Sequence, residues 1–269
     1  MIDKPVAIIT GASQGIGAAT AREFAARGYV TALVARNAAN LESVAQEVST
    51  AGGEALVCSG DLSDLEFAEA AVERTFAHWG RIDVLVNNAA WRDLTTMRDI
   101  SLDSWERTMR VCVTAPAFLA RWAAVHMEQA RRGVIINISS IMSEQISGIS
   151  PAYVAAKGAL DSLTFELAVL YGPSGVRVVG LNFGAIDTEM SNDYETADGE
   201  NVSAEWRRWS EDMIPLQRFG TAGEAAKTIA LLASDDASYI TATGIVADGG
   251  WSHQLSPYSQ KRRQFPGQF

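Results

Sequence analysis

Short runs rich in β-branched and other apolar residues alternate along the chain with longer segments whose apolar residues recur every three to four positions. This alternation is typical of βαβ units, which build a parallel sheet with helices on both faces. The pattern predicts about seven strands, at 6–10, 30–35, 55–59, 84–87, 134–139, 176–182 and 244–248. It predicts helices at 16–27, 38–51, 65–79, 102–131, 152–171 and 222–233. The expected fold class is therefore α/β, a Rossmann-like doubly wound sheet.

The alternation continues without a repeat, a low-complexity tract or a linker that would divide the chain, so one domain over residues 1–269 is expected. Residues 189–213 break the pattern with acidic and aromatic positions, and we expect them to form a substrate lid. Residues 251–269 are expected to be an irregular tail. The aromatic side chains of these two segments suit contacts with a neighbouring subunit as well as they suit covering a substrate.

Charge and cysteine content narrow the classes of partner and compartment. With 22 Lys and Arg against 32 Asp and Glu, the net charge of −10 repels nucleic-acid backbones and anionic membranes. We expect neither as a partner, and the basic run 261–263 is assigned no function. Cys58 and Cys112 are too few for a disulfide framework, and the first apolar run, 6–9, is too short for a signal or membrane segment. A cytoplasmic protein is expected.

The first predicted strand leads into a glycine-rich turn at 10–17, with Gly11, Gly15 and Gly17 just before a predicted helix. Such glycines allow a tight turn and close backbone approach, and the helix start offers unpaired N–H groups and a positive dipole end. The pyrophosphate of a dinucleotide fits this arrangement. The spacing differs from Gly-x-Gly-x-x-Gly, and the glycines could also mark an ordinary turn.

Residues that follow the second, third and fourth predicted strands indicate which groups could contact the adenosine half of such a cofactor. The second strand ends at Arg36 without a carboxylate, which favours NADP(H) over NAD(H), although Arg36 could be a surface cation. Asp61, followed by Leu62, could lie near the adenine amino group or cap a helix. Asn88 ends the fourth strand among small residues, where a nucleotide could approach the backbone.

Tyr153 and Lys157 are four residues apart in a predicted helix, so their side chains share a face. A lysine cation beside a phenol stabilises the phenolate, which favours proton transfer near neutral pH. Such a pair alone is common on helices. Ser140, however, ends the preceding predicted strand, and in a parallel sheet the carboxyl ends of the strands line the ligand crevice.

Several motifs match one family in order and spacing. They are the Thr-Gly-x-x-x-Gly-x-Gly turn at 10–17, Asn-Asn-Ala at 87–89, Ser140 before the Tyr153 and Lys157 pair, and Asp-Gly-Gly at 248–250. Over about residues 6–250 the chain resembles the short-chain dehydrogenases/reductases. The resemblance implies hydride transfer between a nicotinamide cofactor, NADP(H) by preference, and a small or mid-sized alcohol or ketone. It also implies a homo-oligomer, a tetramer or dimer, formed through the helices at 102–131 and 152–171 and the last strand.

The resemblance assigns roles to residues of this chain. Tyr153 is implied as the general acid/base, Lys157 as the residue that holds the nicotinamide ribose and assists the phenol, and Ser140 as the group that positions the substrate carbonyl. The resemblance also implies the cofactor contacts. It places Gly11, Ser13, Gln14 and Ile16 at the pyrophosphate and adenosine side, and Arg36 at the 2′-phosphate. Asp61 and Leu62 are implied at the adenine, Asn88 at the adenine ribose, and Ile186 and Thr188 at the carboxamide.

The chain departs from the family pattern at a few positions. Cys112 stands where an Asn commonly helps a water connect the lysine to solvent, and we hypothesise a slowed or rerouted proton relay. Phe183 replaces a frequent Pro before Gly184, which puts the geometry of the following cofactor loop in doubt. Ala90 and Ala242 replace frequent glycines, a change that is tolerated if their φ angles are negative.

Other readings of the sequence have less support. A nucleotide-binding regulatory or scaffold protein with impaired catalysis is the alternative, motivated by Cys112 and Phe183. His78, His126 and His253 show no metal-ligand spacing, so no metal site is expected. A hydrolase elbow, Gly-x-Ser-x-Gly, does not occur around the serines at 139 and 140.

Overall fold

The computed structural model describes residues 2–196 and 198–269; Met1 and Ala197 lie outside the described residues. The strands are β1 (Val6–Thr10), β2 (Val30–Ala35), β3 (Glu54–Ser59), β4 (Val84–Asn87), β5 (Gly133–Ser140), β6 (Val176–Phe183), β7 (Ile186–Asp187), β8 (Gly220–Thr221) and β9 (Thr243–Ala247). The α-helices are α1 (Gly15–Ala26), α2 (Ala38–Thr50), α3 (Leu65–Trp79), α4 (Leu102–Met109), α5 (Ala115–Ala130), α6 (Pro151–Tyr171), α7 (Ser203–Met213), α8 (Ala222–Ala233) and α9 (Tyr258–Gln264).

The main sheet contains seven parallel strands in the order β3-β2-β1-β4-β5-β6-β9. β1 is buried along its whole length, as expected for an apolar strand covered on both faces. The strand order reverses between β1 and β4, and this switch point opens a crevice at the carboxyl ends of the strands. The predicted fold class is confirmed.

Helices cover the sheet on both faces and enclose two apolar core layers. One layer joins α1, α2 and α8 through residues such as Phe24, Leu41 and Ile229. The other joins α3, α5 and α6 through residues such as Val72 and Leu119. Burying an aliphatic or phenylalanine side chain of this size stabilises the fold by about 1.5–3 kcal/mol. The cores therefore hold the sheet, and with it the crevice, in a fixed geometry.

The single helix predicted over 102–131 is interrupted. α4 passes into a π-helical turn, Arg110–Thr114, before α5 begins, and Arg131 ends the helix with φ of 52°. A π-turn adds one residue without breaking the hydrophobic face, so the periodicity of the sequence continues through it. Such bulges often lie at functional sites. This one carries Cys112, which is fully buried.

The segments outside the βα alternation contain regular structure. The 189–213 segment forms a 3₁₀-helix, Glu189–Asn192, and the helix α7; Ala197 lies outside the described residues. The tail, expected to be irregular, forms a 3₁₀-helix, Trp251–His253, and the helix α9. The two segments support each other, because Asp212 accepts hydrogen bonds from the Ser259 backbone N–H at 2.8 Å and hydroxyl at 2.6 Å. Short helices of this kind depend on tertiary contacts that periodicity does not show.

The backbone conformation of Ala242 does not have the negative φ at which alanine replaces glycine without strain. Its φ is 53°, in the left-handed region that disfavours residues with a Cβ, so the substitution for glycine is strained here. Ala90 does not have a positive φ and meets the expectation. Within residues 2–196 and 198–269, no helix has the combined length and apolar character needed to cross a membrane.

Candidate active site

One large cavity of about 1050 Å³ lies at the carboxyl ends of the central strands. Every site residue predicted from the sequence lines it: Gly11, Ser13, Gln14, Ile16, Arg36, Asp61, Leu62, Asn88, Ser140, Tyr153, Lys157, Ile186 and Thr188. The structure thus brings together side chains that are up to 177 positions apart in the sequence because the parallel topology directs all strand ends to one edge.

The glycine turn between β1 and α1 is tightly packed. Gly11 has φ of +67°, and a Cβ on Gly17 would lie 2.2 Å from the Gly11 carbonyl oxygen. Gln14 precedes the helix without a side-chain cap, so the first N–H groups of α1 receive no side-chain acceptor from that residue. Such N–H groups, together with the helix dipole, are suited to bind an anion, and this helix start lines the cavity.

Asn88 connects this turn to the end of β4. Its side-chain amide donates to the Thr10 carbonyl at 2.8 Å and lies 3.4 Å from the Gly11 carbonyl. In return, the Thr10 hydroxyl accepts hydrogen bonds from the backbone N–H groups of Asn88 and Ala89 at 2.9 and 3.0 Å. Through these hydrogen bonds, Asn88 fixes the glycine turn after β1 against the loop that follows β4.

The cavity end near β2 and β3 is formed by two arginines around an indole. The Arg107 guanidinium lies 3.9 Å from the ring centroid of Trp91, and that of Arg36 lies 5.5 Å from it. Arg107 also lies 4.0 Å from the Asp61 carboxylate. Burial by itself raises the pKa of Asp61, but the hydrogen bonds of Ser63 and the two guanidinium charges outweigh it and lower the pKa below its usual range. Asp61 is therefore an anion that partly balances this cationic end.

Tyr153, Lys157 and Ser140 all line the same cavity. Lys157 is buried, donates from Nζ to the Ile138 carbonyl at 2.6 Å and lies 5.3 Å from the ring centroid of Tyr153. Ser140 ends β5, and its hydroxyl oxygen accepts a hydrogen bond from the Met142 N–H at 3.1 Å. Helix α6 starts at Pro151, a residue suited to the first helical turn, and Tyr153 therefore lies in the first turn of that helix and lines the cavity.

The loop after β6 keeps a defined path although Phe183 replaces the frequent proline. β6 continues through Phe183, which is buried and lines the cavity, and the Gly184 N–H then donates to the Ala247 carbonyl at 3.2 Å. The short strand β7 pairs with β8. The Thr188 methyl lies 3.4 Å from where a Cβ on Gly15 would stand, so this loop reaches across to the glycine turn.

Aromatic residues of the 189–213 segment and the tail form a wall of the cavity. Tyr194 stacks on Trp206 at 5.3 Å, Trp206 meets Trp209 edge-on at 5.6 Å, and Trp209 meets Trp251 at 6.3 Å. Arg207 on α7 donates to Asp187 at 3.0 Å, and this hydrogen bond lowers the pKa of the Asp187 carboxyl. The segment is thus tied to the strand end that carries the predicted carboxamide contacts.

Trp91, Arg92 and Arg107 line the cavity and were not found from the sequence. Trp91 and Arg92 lie in an irregular stretch without periodicity, and Arg107 lies on α4, whose register was read as part of one long helix. One signal was available. Residues that follow the fourth strand lie near the strand ends that line the crevice, and this rule extends past Asn88 to Trp91 and Arg92, three and four residues further along the chain.

Comparison with known proteins agrees with this geometry. A family profile described as enoyl-(acyl carrier protein) reductase matches residues 11–252. Cis-4-hydroxycyclohexanecarboxylate dehydrogenase of Sinomonas cyclohexanicum is 34% identical over 248 residues, which are 92% of this chain and 96% of that protein. The crystal structure of a short-chain type dehydrogenase/reductase from Mycobacterium marinum superposes with a TM-score of 0.85 and 31% identity, covering 92% of this chain and 95% of that one. YwfH, an NADPH-dependent reductase involved in bacilysin biosynthesis, superposes with a TM-score of 0.87 and 28% identity, covering 94% and 100%.

The chain belongs to the short-chain dehydrogenase/reductase family. It is an oxidoreductase of the class that acts on CH–OH groups, and the family uses nicotinamide dinucleotides as cofactors.

Proposed function

We propose that the protein is an NADP(H)-preferring oxidoreductase that interconverts a small or mid-sized alcohol and the corresponding ketone. The observation that carries this proposal is the convergence of Ser140, Tyr153 and Lys157 with the glycine turn in one cavity. A hydroxyl, a phenol and a buried ammonium supply what proton transfer to or from a carbonyl oxygen needs. A helix start with free N–H groups supplies what a dinucleotide pyrophosphate needs.

The residues present fit a nicotinamide dinucleotide. Gly11 and Gly15 line the cavity and have positive φ angles of 67° and 54°, so the turn presents backbone that phosphate oxygens could approach. When bound, the cofactor supplies or accepts the hydride at its nicotinamide C4. Ser13, Gln14 and Ile16 would hold the pyrophosphate side, and Ile186 and Thr188 the carboxamide.

The chain's own residues then carry the proton and orient the substrate. In the oxidation direction, Tyr153 accepts the proton of the substrate hydroxyl, and in the reduction direction it returns that proton to the carbonyl oxygen. The Lys157 ammonium lies 5.3 Å from the phenol ring centroid, so a cation lies beside the proposed acid/base group. Ser140 donates to the substrate oxygen and fixes its position.

The scaffold alternative is tested by Tyr153→Phe, which removes one hydroxyl and keeps the ring. Turnover of alcohol or ketone substrates should fall by about 10²–10⁴-fold because the general acid/base is lost. Cofactor binding, followed by energy transfer from the tryptophans to the reduced nicotinamide, should persist. Cofactor binding without any turnover by the unmodified protein, over a broad alcohol and ketone panel, would favour the scaffold function instead.

The preference for NADP(H) rests on the cationic end of the cavity. The exposed Arg36 side chain lies at the carboxyl end of β2, and Arg36 and Arg107 both lie near the Trp91 ring. Two guanidinium groups at this end favour a 2′-phosphate. We expect NADPH to bind more tightly than NADH, and Arg36→Ala to remove most of the difference. Arg98→Ala, an exposed arginine that does not line the cavity, is the control. Equal affinities for the two cofactors in the unmodified protein would contradict the preference.

We also propose that residues 189–213 act as the substrate lid and that the protein is a homo-oligomer, a dimer or tetramer. The lid is supported by the aromatic residues that it adds to the cavity wall. The oligomer is supported by apolar side chains exposed on α6, among them Phe165, Val169 and Leu170. Light scattering of the purified protein measures the oligomeric state directly.

A further inference from the structure

Arg92 holds a guanidinium group on the lid side of the cavity. It follows the end of β4 by five residues, is partly buried and lines the cavity. One of its terminal nitrogens donates to the Met190 carbonyl at 2.6 Å, and the other donates to the Tyr194 hydroxyl at 3.3 Å. Its guanidinium also lies 5.2 Å from the ring centroid of Tyr194. A guanidinium has five N–H donors, so these contacts leave donors for a ligand.

The charge of Arg92 has no balancing carboxylate in the described part of the chain. The charged side chains that line the described cavity are Arg36, Asp61, Arg92, Arg107 and Lys157. Three of them form the adenosine end, and Lys157 is bound to the Ile138 carbonyl. Within residues 2–196 and 198–269, the ion pairs do not include Arg92. A partly buried cation without an anion, in a protein of net charge −10, attracts one to its pocket.

The surroundings of Arg92 are apolar and flat. The stacked rings of Tyr194 and Trp206 continue into Trp209 and Trp251, and all four side chains line the cavity. Aromatic faces of this kind bind saturated or aromatic rings through broad contact area. A ligand that satisfies both features has a carbon ring and an anionic group.

We propose that the substrates of this enzyme are ring-bearing hydroxy acids or keto acids, with the carboxylate paired to Arg92. The ring packs against the aromatic wall, and the hydroxyl or keto oxygen faces Ser140 and Tyr153. This inference rests on the proposed alcohol–ketone chemistry and adds the substrate class. Because a guanidinium pairs with a carboxylate through two parallel hydrogen bonds, Arg92 determines specificity and substrate orientation, whereas proton transfer stays with Tyr153.

Binding of an unreactive ligand pair tests the carboxylate site separately from catalysis. Calorimetry of the full-length protein, saturated with NADP⁺, compares cyclohexanecarboxylate with cyclohexanecarboxamide, which has the same ring and no charge. The acid should bind at least about tenfold more tightly than the amide, the range of a hydrogen-bonded charge pair. Arg92→Gln should bring the two affinities together, Arg92→Lys should keep part of the preference, and Arg98→Gln should keep all of it. Circular dichroism checks that each variant is folded.

Turnover then distinguishes failure of the carboxylate site from failure of the proposed function. The two substrates are 4-hydroxycyclohexanecarboxylate and its primary amide. The site is supported if kcat/KM favours the acid, Arg92→Gln abolishes that preference and Arg98→Gln keeps it. Turnover of both compounds with equal kcat/KM, or equal binding or no binding of acid and amide by the unmodified protein, overturns the carboxylate site and leaves the oxidoreductase function standing. An acid preference in binding without turnover of any alcohol or ketone keeps the site and overturns the function.

Discussion

The backbone N–H of Trp91 donates a hydrogen bond to Cys112 Sγ at 3.3 Å. This contact joins the loop after β4, which carries Arg92, to the π-helical turn between α4 and α5. Cys112 stands where the family commonly has Asn, and the turn forms with the thiol in its place. Since a thiol is a weak acceptor and a weak donor, it replaces an amide poorly in a chain of proton carriers.

Cys112→Asn tests whether proton transfer between Lys157 and solvent limits this enzyme. An amide can both donate to and accept from a water, so we expect turnover to rise if the relay is limiting. The measurement is steady-state kcat in H₂O and in D₂O, and the solvent isotope effect should decrease in the variant. Cys58→Ser, at a buried cysteine on β3 outside the cavity, is the control. An unchanged or lower kcat with an unchanged isotope effect would count against the slowed relay.

Ala242→Gly should stabilise the protein. Ala242 has φ of 53°, and relieving a left-handed non-glycine residue is worth about 1 kcal/mol, partly offset by the extra freedom of glycine in the unfolded chain. For a chain of this size, that corresponds to a Tm increase of about 2–4 °C. The same change at Ala90, which does not have a positive φ, should leave Tm unchanged or lower it. A decrease of Tm in Ala242→Gly would show that the strain is compensated by contacts of the methyl group.

The ion pair between Asp187 and Arg207 should make lid attachment depend on pH. The hydrogen bond from Arg207 lowers the pKa of Asp187 from its ordinary 3.8. Because the pKa of Asp187 is lowered in the folded state, the ion pair contributes its full stabilisation at pH values above the ordinary carboxyl pKa. This stabilisation is lost as the pH falls through the lowered pKa. Acid titration of tryptophan emission, which includes Trp206 and Trp209 on the lid helix, should therefore show a transition below the ordinary carboxyl range.

Asp187→Asn should remove this transition because the amide does not titrate. Asp236→Asn, at an exposed carboxylate outside the cavity, should retain it. Superimposable titration curves for the unmodified protein and Asp187→Asn would show that the ion pair does not hold the lid. If residues 189–213 act as the proposed lid, KM for a turned-over substrate, measured at neutral pH, should rise in Asp187→Asn with a smaller change in kcat, since the proposed acid/base Tyr153 stays in place.

The pattern of residues along the chain predicts the sheet, the helices that cover it and the position of the crevice. These follow from local rules: alternating apolar runs form βα units, and right-handed parallel crossovers bring every strand end to one edge. The spacing of Tyr153 and Lys157 also needs no tertiary information, because residues four apart on a helix share a face. The glycines at 11 and 17 predict a turn in which backbone segments approach closely. In the structure, a Cβ on Gly17 would lie only 2.2 Å from the Gly11 carbonyl oxygen.

Other features depend on neighbours that are distant in sequence, and they become visible when the elements pack together. The π-turn at Arg110–Thr114 keeps the hydrophobic face of a continuous helix, so periodicity does not reveal it. The helices α7 and α9 are too short to form alone and are held by contacts such as Asp212 with Ser259. Arg92 is a candidate specificity residue because it bonds to Met190 and Tyr194, about a hundred positions away in the sequence, and its charge meets no carboxylate among the described residues. Local patterns in the sequence specify elements, whereas burial, charge balance and hydrogen-bond partners arise when those elements pack.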